Sequence, residues 1–346
     1  MRHEALKALL LNEISDLAVN QSPLTLADVP DPVPGGGEIL IRISACGVCR
    51  TELDEIEGRT PPPRFPVVPG HQVVGRVESA GAGASKWKPG DRVGVGWIFS
   101  ACGSCRFCLS GRENLCPDFQ ATGRDSDGGY TEYMTIREDF AYPIPDVYSD
   151  SEAAPLLCAG AVGYRSLRLT GIRDGDKLGF TGFGASAHLV LQLARFQFPR
   201  TECFVFARSE KERAFALELG AAWAGDPGEE APETLDAIID TTPAWRPVLG
   251  ALRNLAPGGR LVINAIRKED GDRDALKAID YSRDLWMEKE IKSVANVTRH
   301  DVSEFLRIAG RIPIRPEFQE FPLEDANRVL ADIKAGRIRG AKVLRI

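Results

Sequence analysis

The chain has 346 residues, 43% hydrophobic and 27% charged, a balance that excludes a disordered chain and supplies apolar material for more than one core. Its 43 Lys and Arg against 49 Asp and Glu leave a formal charge of −6, so no global field draws it to phosphate backbones or anionic lipid. The opening MRHEALKALLLNEISD has a four-residue apolar run before Asn12 and Glu13, too short for a signal-peptide core, and nothing approaches the ~18 apolar residues of a membrane helix, so the expectation is a cytosolic protein with no nucleic-acid or membrane partner.

Up to about residue 155 the chain is rich in Pro and Gly, with short β-like runs at 38–44, 73–77, 92–95 and 130–135, several bounded by turn signals such as PGGG, KPGD and DGG. This texture predicts a small β-rich, barrel-like domain. From about 156 it changes to apolar strands at 177–181, 203–207, 237–240, 261–265 and 291–294 alternating with helical patterns, the signature of βαβ units and a parallel sheet. Segments 301–309 and 323–335 read as helices outside that pattern, which sends the last stretch of chain back to the first domain. No internal repeat or low-complexity tract is visible.

Eight cysteines without a secretory signal point to metal ligands or free thiols rather than a disulfide framework. Cys102, Cys105, Cys108 and Cys116 lie in ACGSCRFCLSGRENLC with two, two and seven residues between them, a spacing that lets one Zn²⁺ be wrapped tetrahedrally with no position left for water. Such a closed site is structural. A nucleic-acid zinc finger is not indicated, because Arg106 and Arg112 are accompanied by Glu113 and form no basic footprint.

Further on, KLGFTGFGASAH runs from a strand through Gly182, Gly184 and Ala187 into a helical stretch, and a second strand follows about twenty residues later, the context a dinucleotide fingerprint requires. Gly182 allows the tight turn, Gly184 lets backbone approach a pyrophosphate, and Ala187 permits close strand–helix packing. The second strand ends in CFVFARSE. Ala207 and Arg208 stand where an acid would grip a ribose 2′-OH, while Arg208 and Ser209 can hydrogen-bond a 2′-phosphate, which favours NADP(H) over NAD(H). Glu210 keeps NAD(H) open.

Cys49 in ACGVCRTE, His71 in PGHQVVG and Cys158 in PLLCAG are too dispersed for spacing alone to join them. With the closed cysteine loop and the glycine-rich turn, in this order, they resemble the zinc-containing medium-chain dehydrogenase family over nearly the whole chain. The resemblance implies a catalytic Zn²⁺ on Cys49, His71 and Cys158 with an open fourth position, where the ion stabilises negative charge on a substrate oxygen. It implies that Thr51 passes the substrate proton along, that Glu52 orients His71, and that Arg50 and Arg339 meet a pyrophosphate. Two positions depart from the family pattern. Gln72 follows His71 where many relatives carry Glu, and Asp54 stands at the outer end of the proton relay where relatives often have His. An ordinary carboxylate, with a reference pKa near 3.9, is a poor shuttle at neutral pH, so proton release would fall to water or cofactor ribose. Cys46 and Cys49 form a Cys-x-x-Cys pair, but the βαβ context of a thioredoxin-like site is missing.

The expected architecture is α/β: a β-rich, chaperonin-10-like catalytic domain from residues 1–155 and 300–346, with a doubly wound Rossmann domain at 156–299. The nicotinamide would lie in the cleft between them. The expected activity is a zinc-dependent alcohol dehydrogenase or aldehyde reductase, with two Zn²⁺ per chain, working on a small molecule as a homodimer or homotetramer. A catalytically inactive zinc-stabilised scaffold and a zinc-free quinone or enoyl reductase remain as alternatives. Trp97, Phe99 and Tyr130 read either as an apolar pocket or as plain core.

Overall fold

The computed structural model describes residues 6–312, 314–337 and 339–346; the first five residues of the N-terminal stretch lie outside the described residues. The first part of the chain is made of β1 (Leu6–Leu11), β2 (Leu24–Val29), β3 (Glu38–Val48), α1 (Arg50–Ile56), β4 (Gln72–Ala80), β5 (Arg92–Val95), β6 (Ile98–Ser100), α2 (Arg106–Leu109), β7 (Gln120–Ala121), β8 (Tyr133–Arg137), β9 (Ala141–Pro143) and α3 (Asp150–Ala153). It leads through α4 (Ala159–Thr170) into β10 (Lys177–Thr181), α5 (Ala187–Gln197), β11 (Glu202–Phe206), α6 (Glu210–Glu218), β12 (Trp223–Gly225), β13 (Leu235–Asp240), α7 (Arg246–Asn254), β14 (Leu255–Ile263) and β15 (Glu290–Ser293). The chain ends with α8 (Arg299–Ala309), β16 (Phe318–Pro322), α9 (Ala326–Lys334) and β17 (Ala341–Arg345). Contacts divide it into two units, one running up to Ala161 and resuming at Val297–Ile346, the other Val162–Asn296.

In the first unit a mainly antiparallel sheet runs β16-β17-β3-β4-β5-β9, with β8 also on β3. Over its first half β3 alternates, burying Ile39, Ile41 and Ile43 while Arg42 reaches solvent, as a strand with one wet face must. Its length lets two partners share it: Glu38 lies opposite Arg137 of β8, and Val48 opposite Lys342 of β17. The C-terminal strand is therefore a sheet neighbour of the segment that ends at Cys49. Trp97 and Tyr130 are buried, Tyr130 completely, and Phe99 packs against the core that contains Tyr130. The helical reading of the C-terminal stretch is met by α8 and α9, while β16 and β17 bracket α9 without periodicity strong enough to announce them.

The second unit is an all-parallel sheet in the order β12-β11-β10-β13-β14-β15. After its first residue β10 is buried throughout, which is why it reads as an unbroken apolar run rather than an alternation. Strand order reverses between β10 and β13, the switch point at which open α/β sheets bind ligands beyond their carboxyl ends. Among the described residues no helix is long and apolar enough to cross a membrane.

Candidate active site

Sheet register brings the first two ligands together. Gly47 of β3 pairs with Gln72 of β4, so Cys49, just past the end of β3, and His71, just before β4, leave the same end of an antiparallel pair. The Gln72 side chain packs over Gly47 so closely that a Cβ there would lie 2.9 Å from it and would make it shift. Cys158 arrives from a different direction, after the 3₁₀ turn Ala154–Leu157, whose Leu157 fills the space left by the missing side chain of Gly94 in β5.

The result is three donor atoms within 4.8 Å of one another. Cys49 Sγ lies 3.8 Å from His71 Nε2, and His71 Nε2 3.2 Å from Cys158 Sγ. An ion of zinc's size with tetrahedral angles places S and N about 3.6 Å apart, so the set fits a metal. The electrostatics agree: the adjoining Cys158 thiol, then burial, hold the Cys49 thiol well above its ordinary pKa, a conflict that a shared cation removes. His71 and Cys158 are buried and Cys49 partly so.

Around the ligands α1 organises itself on the same residues. Cys49 is its N-cap, accepting the Thr51 N–H at 3.2 Å, while Glu52 Oε2 accepts the Cys49 N–H at 2.8 Å, a capping box with a thiol in the hydroxyl's place. The other oxygen, Oε1, lies 2.7 Å from His71 Nδ1, and both side chains are fully buried. Burial opposes protonation of His71, but the Glu52 carboxylate and Cys49 outweigh it and push the imidazole well above its usual range. Thr51 and Asp54 are buried too, and Asp54 is engaged by Arg59, whose Nε lies 2.5 Å from Oδ1. Arg59 was not singled out in the sequence. Neither was Glu55, one helical turn beyond Glu52, which is 1% exposed with no hydrogen-bond partner for either carboxylate oxygen among the described residues. The i, i+3 spacing from Glu52 was the available signal.

Cys102, Cys105, Cys108 and Cys116 form the second donor cluster, with Cys102 Sγ 3.8 Å from Cys108 Sγ, the separation of two thiolates on one tetrahedral ion. Backbone N–H groups of Ser104 and Cys105 pull the Cys102 thiol down to about 6. Glu113 within this loop is buried and accepts from Arg299 N at 2.7 Å, tying the loop to the start of α8.

In the second unit Gly182 adopts φ +79, and its N–H donates to Phe206 O at 2.8 Å. A Cβ on Gly184 would meet nothing within 4 Å, so the turn presents open backbone, and Ala187 is fully buried at the start of α5. This arrangement fits a pyrophosphate at a helix N-terminus. Ala207 is buried; Arg208, Ser209 and Glu210 are exposed, Ser209 as N-cap of α6. Arg213, unremarked in the sequence, donates to Ala207 O and Arg208 O at 2.7 and 3.0 Å, adding a second guanidinium beside this strand end. Arg50 opens α1 in the first unit, and Arg339, 59% exposed at its side chain, is ion-paired with Glu317 at 2.9 Å.

Comparison with known proteins places these features. A model of the alcohol dehydrogenase GroES-like domain matches residues 35–146. The probable alcohol dehydrogenase AdhA of Mycobacterium tuberculosis is 43% identical over 333 residues, 95% of this chain and 94% of that protein. The chain belongs to the zinc-type medium-chain alcohol dehydrogenase family. As an oxidoreductase of this alcohol dehydrogenase family it is also similar to an alcohol dehydrogenase of Geobacillus stearothermophilus, 33% identical over 94% of this chain and 97% of that one. A cinnamyl alcohol dehydrogenase from Sorghum bicolor superposes with a TM-score of 0.87 at 26% identity, covering 99% and 98% of the two chains. A cobalt- and zinc-bound alcohol dehydrogenase from Pyrobaculum aerophilum shares the fold, with a TM-score of 0.87 at 24% identity over 99% and 100%.

Proposed function

We propose that this alcohol dehydrogenase is zinc-dependent and interconverts a primary or secondary alcohol with its aldehyde or ketone, with NADP(H) favoured over NAD(H). The observation that carries the reading is the meeting of Cys49, His71 and Cys158 within 4.8 Å, with Glu52 on the far nitrogen of His71. Three protein ligands from N and S donors are the set that leaves zinc an open fourth corner, whereas the four-cysteine loop is closed and structural. Bound there, the ion supplies Lewis acidity toward a substrate oxygen, and the nicotinamide supplies or accepts the hydride. Glu52 holds His71 with Nε2 aimed at the ion and raises its basicity. The Thr51 hydroxyl takes the substrate proton and passes it outward. Asp54, already engaged by Arg59, is not its resting place, so the proton leaves through water or the cofactor ribose.

In this reading the unit built on β3 and β4 is catalytic and the parallel-sheet unit holds the dinucleotide. Gly182, Gly184 and Ala187 receive the pyrophosphate, and Arg208 and Ser209 recognise the 2′-phosphate with support from Arg213. Arg50 is a further pyrophosphate partner. Arg339 would have to exchange Glu317 for phosphate to act as another. Self-association as a dimer or tetramer is read at the open edge of the parallel sheet, where all of β15 is exposed next to Trp286 and Met287.

The test is metal quantitation alongside oxidation of NADPH and NADH with a short-chain, a long-chain and an aromatic aldehyde. Two zinc ions per chain and faster turnover with NADPH are expected. Two ions and bound cofactor without turnover would return the chain to a scaffold role, and a single zinc would favour the zinc-free type of reductase.

A further inference from the structure

At the carboxyl end of β13, in the second unit, a charged pair is buried with no part in the chemistry above. Asp240 is fully buried, and the side chain of Lys268, from the loop after β14, is 7% exposed and ion-paired to Asp240 Oδ2. The other oxygen, Oδ1, accepts from Thr181 Oγ1 at 2.6 Å, Thr242 Oγ1 at 2.7 Å and Thr242 N at 3.2 Å. Lys268 Nζ also donates to Thr242 O at 2.8 Å and Ala244 O at 2.9 Å. One carboxylate and one ammonium thereby fix the end of β10, the segment after β13 and the loop after β14. Moving the loop after β14 would leave a charge buried without its partner, which is strongly unfavourable, and moving either of the other two would cost hydrogen bonds to the charged groups.

The segment they hold is the wall of the glycine turn. Thr241 Oγ1 donates to Thr181 O at 3.0 Å and Gly182 O at 3.4 Å. A Cβ on Gly182 would lie 2.9 Å from Thr241 Oγ1 and 3.0 Å from Thr242 Cγ2. The Gly182 turn is thus pressed against residues whose own position depends on Asp240 and Lys268. The geometry points to Asp240 and Lys268 as positioning residues for the diphosphate site: they act through Thr241 and Thr242 on Gly182, and so set affinity for the diphosphate of the cofactor without touching it. This rests on the dinucleotide reading of the turn and adds a determinant that the fingerprint does not contain.

The zinc-loaded protein, Lys268→Met and the double variant Asp240→Asn/Lys268→Met are titrated calorimetrically with ADP-ribose, which carries the diphosphate, and with adenosine, which carries no phosphate. Loss of one charge-assisted anchor predicts an ADP-ribose Kd raised roughly tenfold in both variants, adenosine binding unchanged and zinc content unchanged. The double variant leaves no unpaired buried charge. If the charged pair proves necessary for folding, Thr241→Val leaves that pair in place, removes the hydroxyl that holds Thr181 O and Gly182 O, and is expected to weaken ADP-ribose about threefold. Unchanged ADP-ribose binding in folded variants overturns the inference, as does an equal loss for adenosine, which would mean a general loosening of the unit. If the parent protein itself fails to bind ADP-ribose, the dinucleotide reading falls first and the inference with it.

Discussion

Glu55 offers a test of the electrostatics beneath the metal site. It is 1% exposed, its two carboxylate oxygens have no hydrogen-bond partner among the described residues, and burial followed by the neighbouring Glu52 carboxylate pushes its acid well above the usual range. A carboxyl with a raised pKa in the fold binds its proton more tightly folded than unfolded. Its contribution to stability is complete below the ordinary value near 4.3 and is lost as pH rises toward the raised one. Over that window stability falls by at most about 1.4 kcal/mol for each pH unit over which the folded carboxyl keeps the proton that the unfolded one has lost. Glu55→Leu removes this slope, and so does Glu55→Gln. Melting temperatures of the parent and both variants, all zinc-loaded, would be compared at pH 5, 6 and 7, so that titrations of the shared cysteines and histidines cancel in the differences. The Leu variant should gain steadily on the parent as pH rises from 5 to 7, by about 1.4 °C for each kcal/mol in a chain of 346 residues. A difference that does not change with pH would refute the assignment of Glu55 as a buried neutral acid.

Three further outcomes follow from the site. Glu52→Gln should weaken zinc at Cys49, His71 and Cys158 by 10- to 100-fold, a typical loss for a partner of a ligating histidine, while one equivalent stays on the four-cysteine loop; metal analysis after graded chelation reads both. Thr51→Val should lower kcat by about 10² or more with the zinc content intact, since only the proton-passing hydroxyl is removed. Arg208→Ala should raise the KM for NADPH by about tenfold and leave that for NADH nearly unchanged, and equal effects on the two cofactors would remove Arg208 from 2′-phosphate recognition.

Much of this molecule is legible in one dimension because the physics is local. Four cysteines within fifteen residues close on one ion by loop geometry alone, and Gly182 announces a positive φ because the strand–turn–helix context leaves few other conformations. The buried runs of β10 and β13 read as parallel strands because both faces of such a sheet are covered.

What the primary structure could not decide are matters of partner choice. Nothing in the string of residues says that Asp54 is claimed by Arg59, that Glu55 is left without a hydrogen bond among the described residues, or that Lys268 reaches back to Asp240, because each outcome depends on which side chains the backbone presents to one another. The convergence of Cys49, His71 and Cys158 stands between the two cases. Residue order pointed to the family, but only the register of β3 against β4 and the seating of Leu157 over Gly94 bring three remote donors within reach of one ion. Local propensity specifies turns and strands, whereas a site assembled across sequence distance exists only once the sheet has fixed which ends are neighbours.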